Sequence, residues 1–84
     1  NPSYPRDEAL AAVDMMLGVG LSRVAHATAE RPEDTIDESV REAARTDAQA
    51  AFVRAREGYV ALVERAPSRR YERLLMGAMA ELSR

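Results

Sequence analysis

The chain has 84 residues, of which 46% are hydrophobic and 31% are charged, and its formal net charge is −2. This length supports one domain with a modest core, and the slight acidity argues against nucleic acid as a partner. Because the chain contains no cysteine, disulfides, thiol catalysis and thiolate metal sites are excluded.

The choice of basic residues, the start of the sequence and its most apolar run suggest where the protein comes from and where it is located. All twelve basic residues are Arg, which suggests a GC-rich bacterial genome. The chain opens on Asn1 and Pro2, so we expect a single helical domain over 1–84, excised from or processed out of a longer chain. Asp14 and Arg23 bracket the most apolar run, which predicts no membrane span. No signal-peptide pattern is visible, and we predict a cytoplasmic protein while leaving export open.

A first helix is predicted from residue 6 to residue 30. Pro5 suits its first turn, because the proline ring presets the helical backbone angle. Apolar residues at helical spacing mark the face expected to pack on the central helix: Leu10, Val13, Leu17, Gly20, Leu21, Val24 and Thr28. We interpret Gly18 and Gly20 as close-contact positions opposite alanines 43, 44 and 48, with a local kink as the alternative.

The central element is predicted as one long helix from residue 35 to residue 66. Thr35 and Glu38 have the spacing of a capping box at its start, and Pro67 ends it. Apolar residues recur every three or four positions: Ile36, Val40, Ala44, Ala48, Phe52, Ala55, Tyr59, Leu62 and Ala66. Such a helix is roughly 48 Å long, which is too long for one short neighbour to bury.

A third helix is predicted from residue 68 to residue 83, with Ser68 as its N-cap. Its apolar face contains Tyr71, Leu74, Leu75, Ala78, Met79 and Leu82. We expect it to run back along the second half of the central helix, while the first helix covers the first half. The sequence therefore predicts an all-α fold, a three-helix antiparallel arrangement with a long central helix.

Two groups of residues were considered for chemistry. His26 is the single histidine and has no second ligand one helical turn away, so a surface position is favoured over partner contact or phosphotransfer. The acids around the start of the central helix suit capping and the helix dipole better than catalysis: Asp34, Asp37, Glu38 and Glu42. We predict no catalytic residue, cofactor or metal site, and we rank an enzyme last.

The remaining hypotheses are non-catalytic. The first is a helical protein-interaction or oligomerisation module, binding a second copy or another protein. The alternative is a small-ligand-sensing effector domain of a transcriptional regulator, although 84 residues leave little room for a pocket of ~300 Å³ or more. The predicted partner-binding residues join apolar side chains to a basic patch: Tyr59, Tyr71, Leu75, Met79, Arg69, Arg70 and Arg73. A solvated face remains the plainer interpretation of the three arginines.

Overall fold

The computed structural model describes residues 4–27 and 37–84. Within them the chain forms three helices: α1 (Pro5–His26), α2 (Glu38–Arg65) and α3 (Arg69–Leu82). α1 packs against α2, and α2 packs against α3. The predicted all-α arrangement of three helices about a long central one is confirmed.

The end of α1 and the start of α2 differ from the predicted bounds. α1 ends at His26 because Ala27 has an extended backbone, so the predicted end at residue 30 is wrong. α2 begins at Glu38, and Asp37 is its N-cap. The Asp37 carboxylate accepts hydrogen bonds from the Ser39 backbone N–H at 2.9 Å and the Ser39 hydroxyl at 2.8 Å, which lower the Asp37 pKa. The predicted cap, Thr35, lies outside the described residues.

α1 runs antiparallel to α2 along nearly the whole length of α2. At one end Arg65 pairs with Asp7 at 2.9 Å, and at the other end Arg41 donates a hydrogen bond to the Ala27 carbonyl. The prediction that α1 covers only the first half of α2 is therefore wrong. With 22 and 28 residues, the two helices are close enough in length to pair throughout.

The side of α1 that faces α2 carries small residues. Ala11, Gly18 and Ala25 are buried at a spacing of seven residues. A Cβ added to Gly18 would lie 2.6 Å from the Phe52 ring, so the close-contact interpretation holds for Gly18, with Phe52 in place of the predicted alanines. A Cβ added to Gly20 would meet nothing within 4 Å, so for Gly20 that interpretation is wrong.

Five of the large apolar residues of α1 face away from α2. We call the following residues the outer face of α1: Leu10, Val13, Met16, Leu17, Gly20 and Val24. The five large side chains among them are between 43% and 73% exposed. The prediction that Leu10, Val13, Leu17 and Val24 pack on the central helix is wrong, because the Ala and Gly side of α1 approaches α2 closely and turns them outward. Of the other predicted members, Leu21 is half-buried and Thr28 lies outside the described residues.

The largest fully buried side chains, Tyr59 and Leu62, lie in the second half of α2. One buried cluster draws residues from all three helices: Ala11, Ala55, Tyr59, Leu62, Ala66, Tyr71 and Ala78. As predicted, Ser68 caps α3, and its hydroxyl accepts the Tyr71 backbone N–H at 3.1 Å. Met79, predicted on the apolar face of α3, is half exposed, because Ala78 takes the buried position beside it.

Candidate partner-binding surface

The structure separates the seven predicted partner-binding residues into a buried group and an exposed group. Tyr59 is 2% exposed and Tyr71 is 4% exposed, and Leu75 packs against the same core cluster. These three side chains therefore serve the chain's own packing. The exposed group consists of Met79, Arg69, Arg70 and Arg73.

The three arginines of the predicted basic patch are all exposed, but they differ in their ion pairs. Arg70 pairs with Glu8 and so ties the start of α3 to the start of α1. Within the described parts of the chain, Arg69 and Arg73 make no ion pair. Of the three arginines, Arg70 is thus a structural contact, and the other two remain available to solvent or to a partner.

Glu8 and Arg70 also lie near the phenol of Tyr59. Burial raises the pKa of Tyr59 above its ordinary value, the Glu8 carboxylate raises it further, and the Arg70 guanidinium opposes both effects. Since the neutral phenol is favoured, Tyr59 behaves as a core residue with a polar tip rather than as an acid or a base.

The outer face of α1 is an apolar surface that the sequence revealed but assigned to the core. Leu10, Leu17 and Val24 recur every seven residues, and Val13 and Gly20 follow the first two by three. This is the a/d spacing by which helices pair in coiled coils. From Leu10 to Val24 the seam is about 21 Å long.

α1 is also the one helix in the described residues that is long and apolar enough to cross a membrane by length and composition. Its Asp14 pairs with Arg54 at 3.2 Å, and its Gly18 side is buried against α2. One such helix is weak evidence for a span, because core helices and signal sequences pass the same test.

A cleft of about 670 Å³ lies where the ends of α1 and α3 meet the first half of α2. Buried Ala48 and Phe52 lie at its apolar side, and the basic residues Arg23, His26 and Arg45 line it. The His26 Nδ1 donates to the Ser22 carbonyl at 2.8 Å, which leaves Nε2 for another contact. No local sequence pattern marks this cleft, because it forms from three separate segments.

Across residues 4–27 and 37–84, no three His, Asp or Glu side chains are grouped so that they could hold a metal ion. Comparison with protein-family models, with curated proteins and with solved structures finds no match for the chain. Function is therefore inferred from the two surface features themselves, the outer face of α1 and the cleft at His26.

Proposed function

We propose that the chain is a non-catalytic oligomerisation module that associates with a second copy of itself through the outer face of α1. The supporting observation is that the five large apolar side chains of the outer face are exposed to solvent, while Ala11, Gly18 and Ala25 on the opposite side are buried. Fully burying one such side chain is worth about 1.5–3 kcal/mol, so covering several of them would drive association.

The outer face is contiguous, which distinguishes it from ordinary exposed apolar residues. Leu10, Val13 and Leu17 lie on successive turns of one helix, each within reach of the next. Single exposed apolar residues are normal on protein surfaces, but contiguous patches mark interaction sites.

The dimensions of the chain favour a second copy as the partner. Its accessible surface is 6137 Å². A compact monomer of this length exposes roughly 5,000 Å². The chain thus exposes roughly 1,100 Å² more than a compact monomer, which is more than the ~800 Å² that one partner buries in a standard interface. The chain measures 54 × 22 × 18 Å, so two copies side by side along α1 form a more compact particle.

Two variants with matched chemistry test this proposal by sedimentation equilibrium. Leu17→Glu places a charge in the middle of the outer face, and Met76→Glu places one on α3, where Met76 is even more exposed than Leu17. We expect the parent chain and Met76→Glu to associate at micromolar concentrations and Leu17→Glu to remain monomeric. A parent chain that stays monomeric at high micromolar concentration would overturn the proposal, as would equal association of the two variants.

The methionines supply a second measurement. Met16 lies on the outer face, whereas Met79 belongs to the surface predicted from sequence on α3, and both are exposed. We expect Met16 to become protected from hydrogen peroxide as the chain concentration rises, while Met79 stays reactive. Protection of Met79 alone would move the association surface to α3 and contradict the proposal.

The cleft at His26 favours the second candidate, a small-ligand-sensing effector domain. Its volume of about 670 Å³ lies within the ~300–1,000 Å³ of ligand sites, against the expectation that this chain has little room for a pocket. A carboxylate with an apolar body would suit the Phe52 side and the neighbouring Arg45. Saturable NMR shifts of His26 with 4-phenylbutyrate, absent with its neutral amide and weakened in Arg45→Gln, would support this candidate. No shift with either compound would remove it.

A further inference from the structure

We infer that two copies pair antiparallel through α1, with Leu17 of one copy seated over the partner's Gly20. This inference rests on the proposed self-association and adds its direction and register. It follows from the sizes of the side chains along the outer face and from the open space above Gly20.

The antiparallel register gives contact layers of similar volume. With Leu17 opposite the partner's Gly20, Val13 lies opposite the partner's Val24. Each layer then combines a large residue with a small one, or two of intermediate size. Layers of similar volume let two straight helices stay in contact along the seam without large voids.

A parallel pair fits less well. Every residue would then oppose its own copy, so two Leu17 side chains would meet in one layer and two Gly20 residues would meet in the next. The leucine layer would hold the helices apart, and the glycine layer would leave a void beside it. The alternation of Leu17 and Gly20 therefore favours the antiparallel direction.

The inferred register also accounts for Gly20. Glycine is among the least favourable residues in a helix interior, and a Cβ built at Gly20 meets nothing within 4 Å beyond its chain neighbours and the local backbone of α1. Packing inside one copy therefore does not require glycine at this position. A leucine from a second copy would require it, since an added methyl group would occupy the space that Leu17 of the partner fills.

Cysteine cross-linking tests the direction, and the parent chain has no cysteine to interfere. In the inferred dimer, Val13→Cys and Val24→Cys lie opposite each other. Two copies of either variant place their thiols about 17 Å apart along the seam, well beyond the ~7 Å Cα separation that a disulfide tolerates. We expect oxidation to cross-link a mixture of the two variants and neither variant alone.

Each of the other possible results of cross-linking and sedimentation leads to a different conclusion. Cross-linking of each variant alone, without a mixed product, indicates a parallel dimer, which overturns the inferred direction and leaves the proposed self-association standing. A dimer in sedimentation that gives none of these cross-links also overturns the register. A chain that sediments as a monomer removes both the self-association and the inference.

Two glycine variants test the contact at Gly20. Gly20→Ala fills the space assigned to the partner's Leu17, and Gly77→Ala is the matched control, because a Cβ at Gly77 also meets nothing within 4 Å. We expect Gly20→Ala to weaken dimerisation about tenfold, the effect of modest overpacking, and Gly77→Ala to leave the dimer dissociation constant unchanged. Equal dissociation constants for the two variants would overturn the inferred contact.

Discussion

The two sides of α1 carry apolar residues of different size and meet different surroundings. Toward α2 the helix presents Ala11, Gly18 and Ala25, all buried. Away from α2 it presents leucine, valine and methionine, all exposed. The close approach of the two backbones therefore determines which side of α1 is buried, and it outweighs the greater hydrophobicity of the larger side chains.

This difference has a structural consequence. Small residues bury little apolar area each, so the larger contributions to the core come from Phe52, Tyr59, Leu62 and Tyr71 on the other two helices. α1 is held by close packing and by ion pairs, and the large side chains of its outer face remain for another surface.

Two leucines with opposite surroundings provide the sharpest comparison. Leu62 is 1% exposed and Leu10 is 58% exposed. We expect Leu62→Ala to lower the free energy of unfolding by about 2–5 kcal/mol, because it removes buried methyl groups and leaves a cavity. Leu10→Ala should change it by less than about 0.5 kcal/mol. Urea unfolding followed by circular dichroism, at a concentration low enough for monomers, measures both. Equal losses would show that the outer face is covered within one chain.

The two glycines of α1 allow the buried side and the outer face to be compared by adding a single methyl group to each. Gly18→Ala pushes a methyl group into the Phe52 ring, whereas Gly20→Ala adds one in open space. The overpacking cost of about 1–3 kcal/mol exceeds the helix-propensity gain of up to about 1 kcal/mol at Gly18. We expect Gly18→Ala to unfold at lower urea than the parent monomer and Gly20→Ala at higher urea. Stabilisation by both substitutions would show that Phe52 moves aside easily.

The existence and order of the helices were predictable because local patterns determine them. The apolar spacing of α2 and the Ser68 cap are signals within a few residues of the element they describe. The ends near Asp37 were less predictable, because several acids and Thr35 compete as caps within a short stretch. Local preference alone does not choose among such neighbours.

The sidedness of α1 was not predictable from local pattern, because two apolar stripes run along that helix. Periodicity selected the stripe through Leu10 and Leu17, which has the larger side chains. The stripe through Ala11 and Gly18 is buried because Phe52, far away in sequence, fills the space beside Gly18. The same limit applies to the cleft at His26, whose walls come from all three helices.

A smaller effect is expected from the ion pairs that hold α1 to α2. Arg65 pairs with Asp7 and lies 5.5 Å from the centre of the Tyr4 ring. Since these groups are partly exposed, Arg65→Gln should lower the free energy of unfolding by less than about 1 kcal/mol, and added salt should reduce the difference. Arg73→Gln is the control, because the described chain offers Arg73 no ion pair. A larger loss at Arg65 would mean that charge holds α1 in place more than close packing does.

The smallest effect at neutral pH is expected at Tyr59, and it tests whether the core beside α1 excludes water. Its pKa is raised in the folded chain by burial and then by Glu8, so the folded state retains the phenol proton to higher pH than the unfolded state. This contribution to stability is complete below the ordinary tyrosine pKa of ~10 and is lost as pH rises through the folded-state value.

Tyr59→Phe has no such proton to lose. We therefore expect its free energy of unfolding to differ from that of the parent by a constant amount between about pH 7 and pH 9, below the ordinary tyrosine pKa of ~10. Above that range the parent should lose stability relative to Tyr59→Phe. If the free energies of unfolding of the two chains keep a constant difference through the alkaline range, water reaches the Tyr59 phenol in the folded chain. The buried contact between α1 and α2 would then be more open than its close packing indicates.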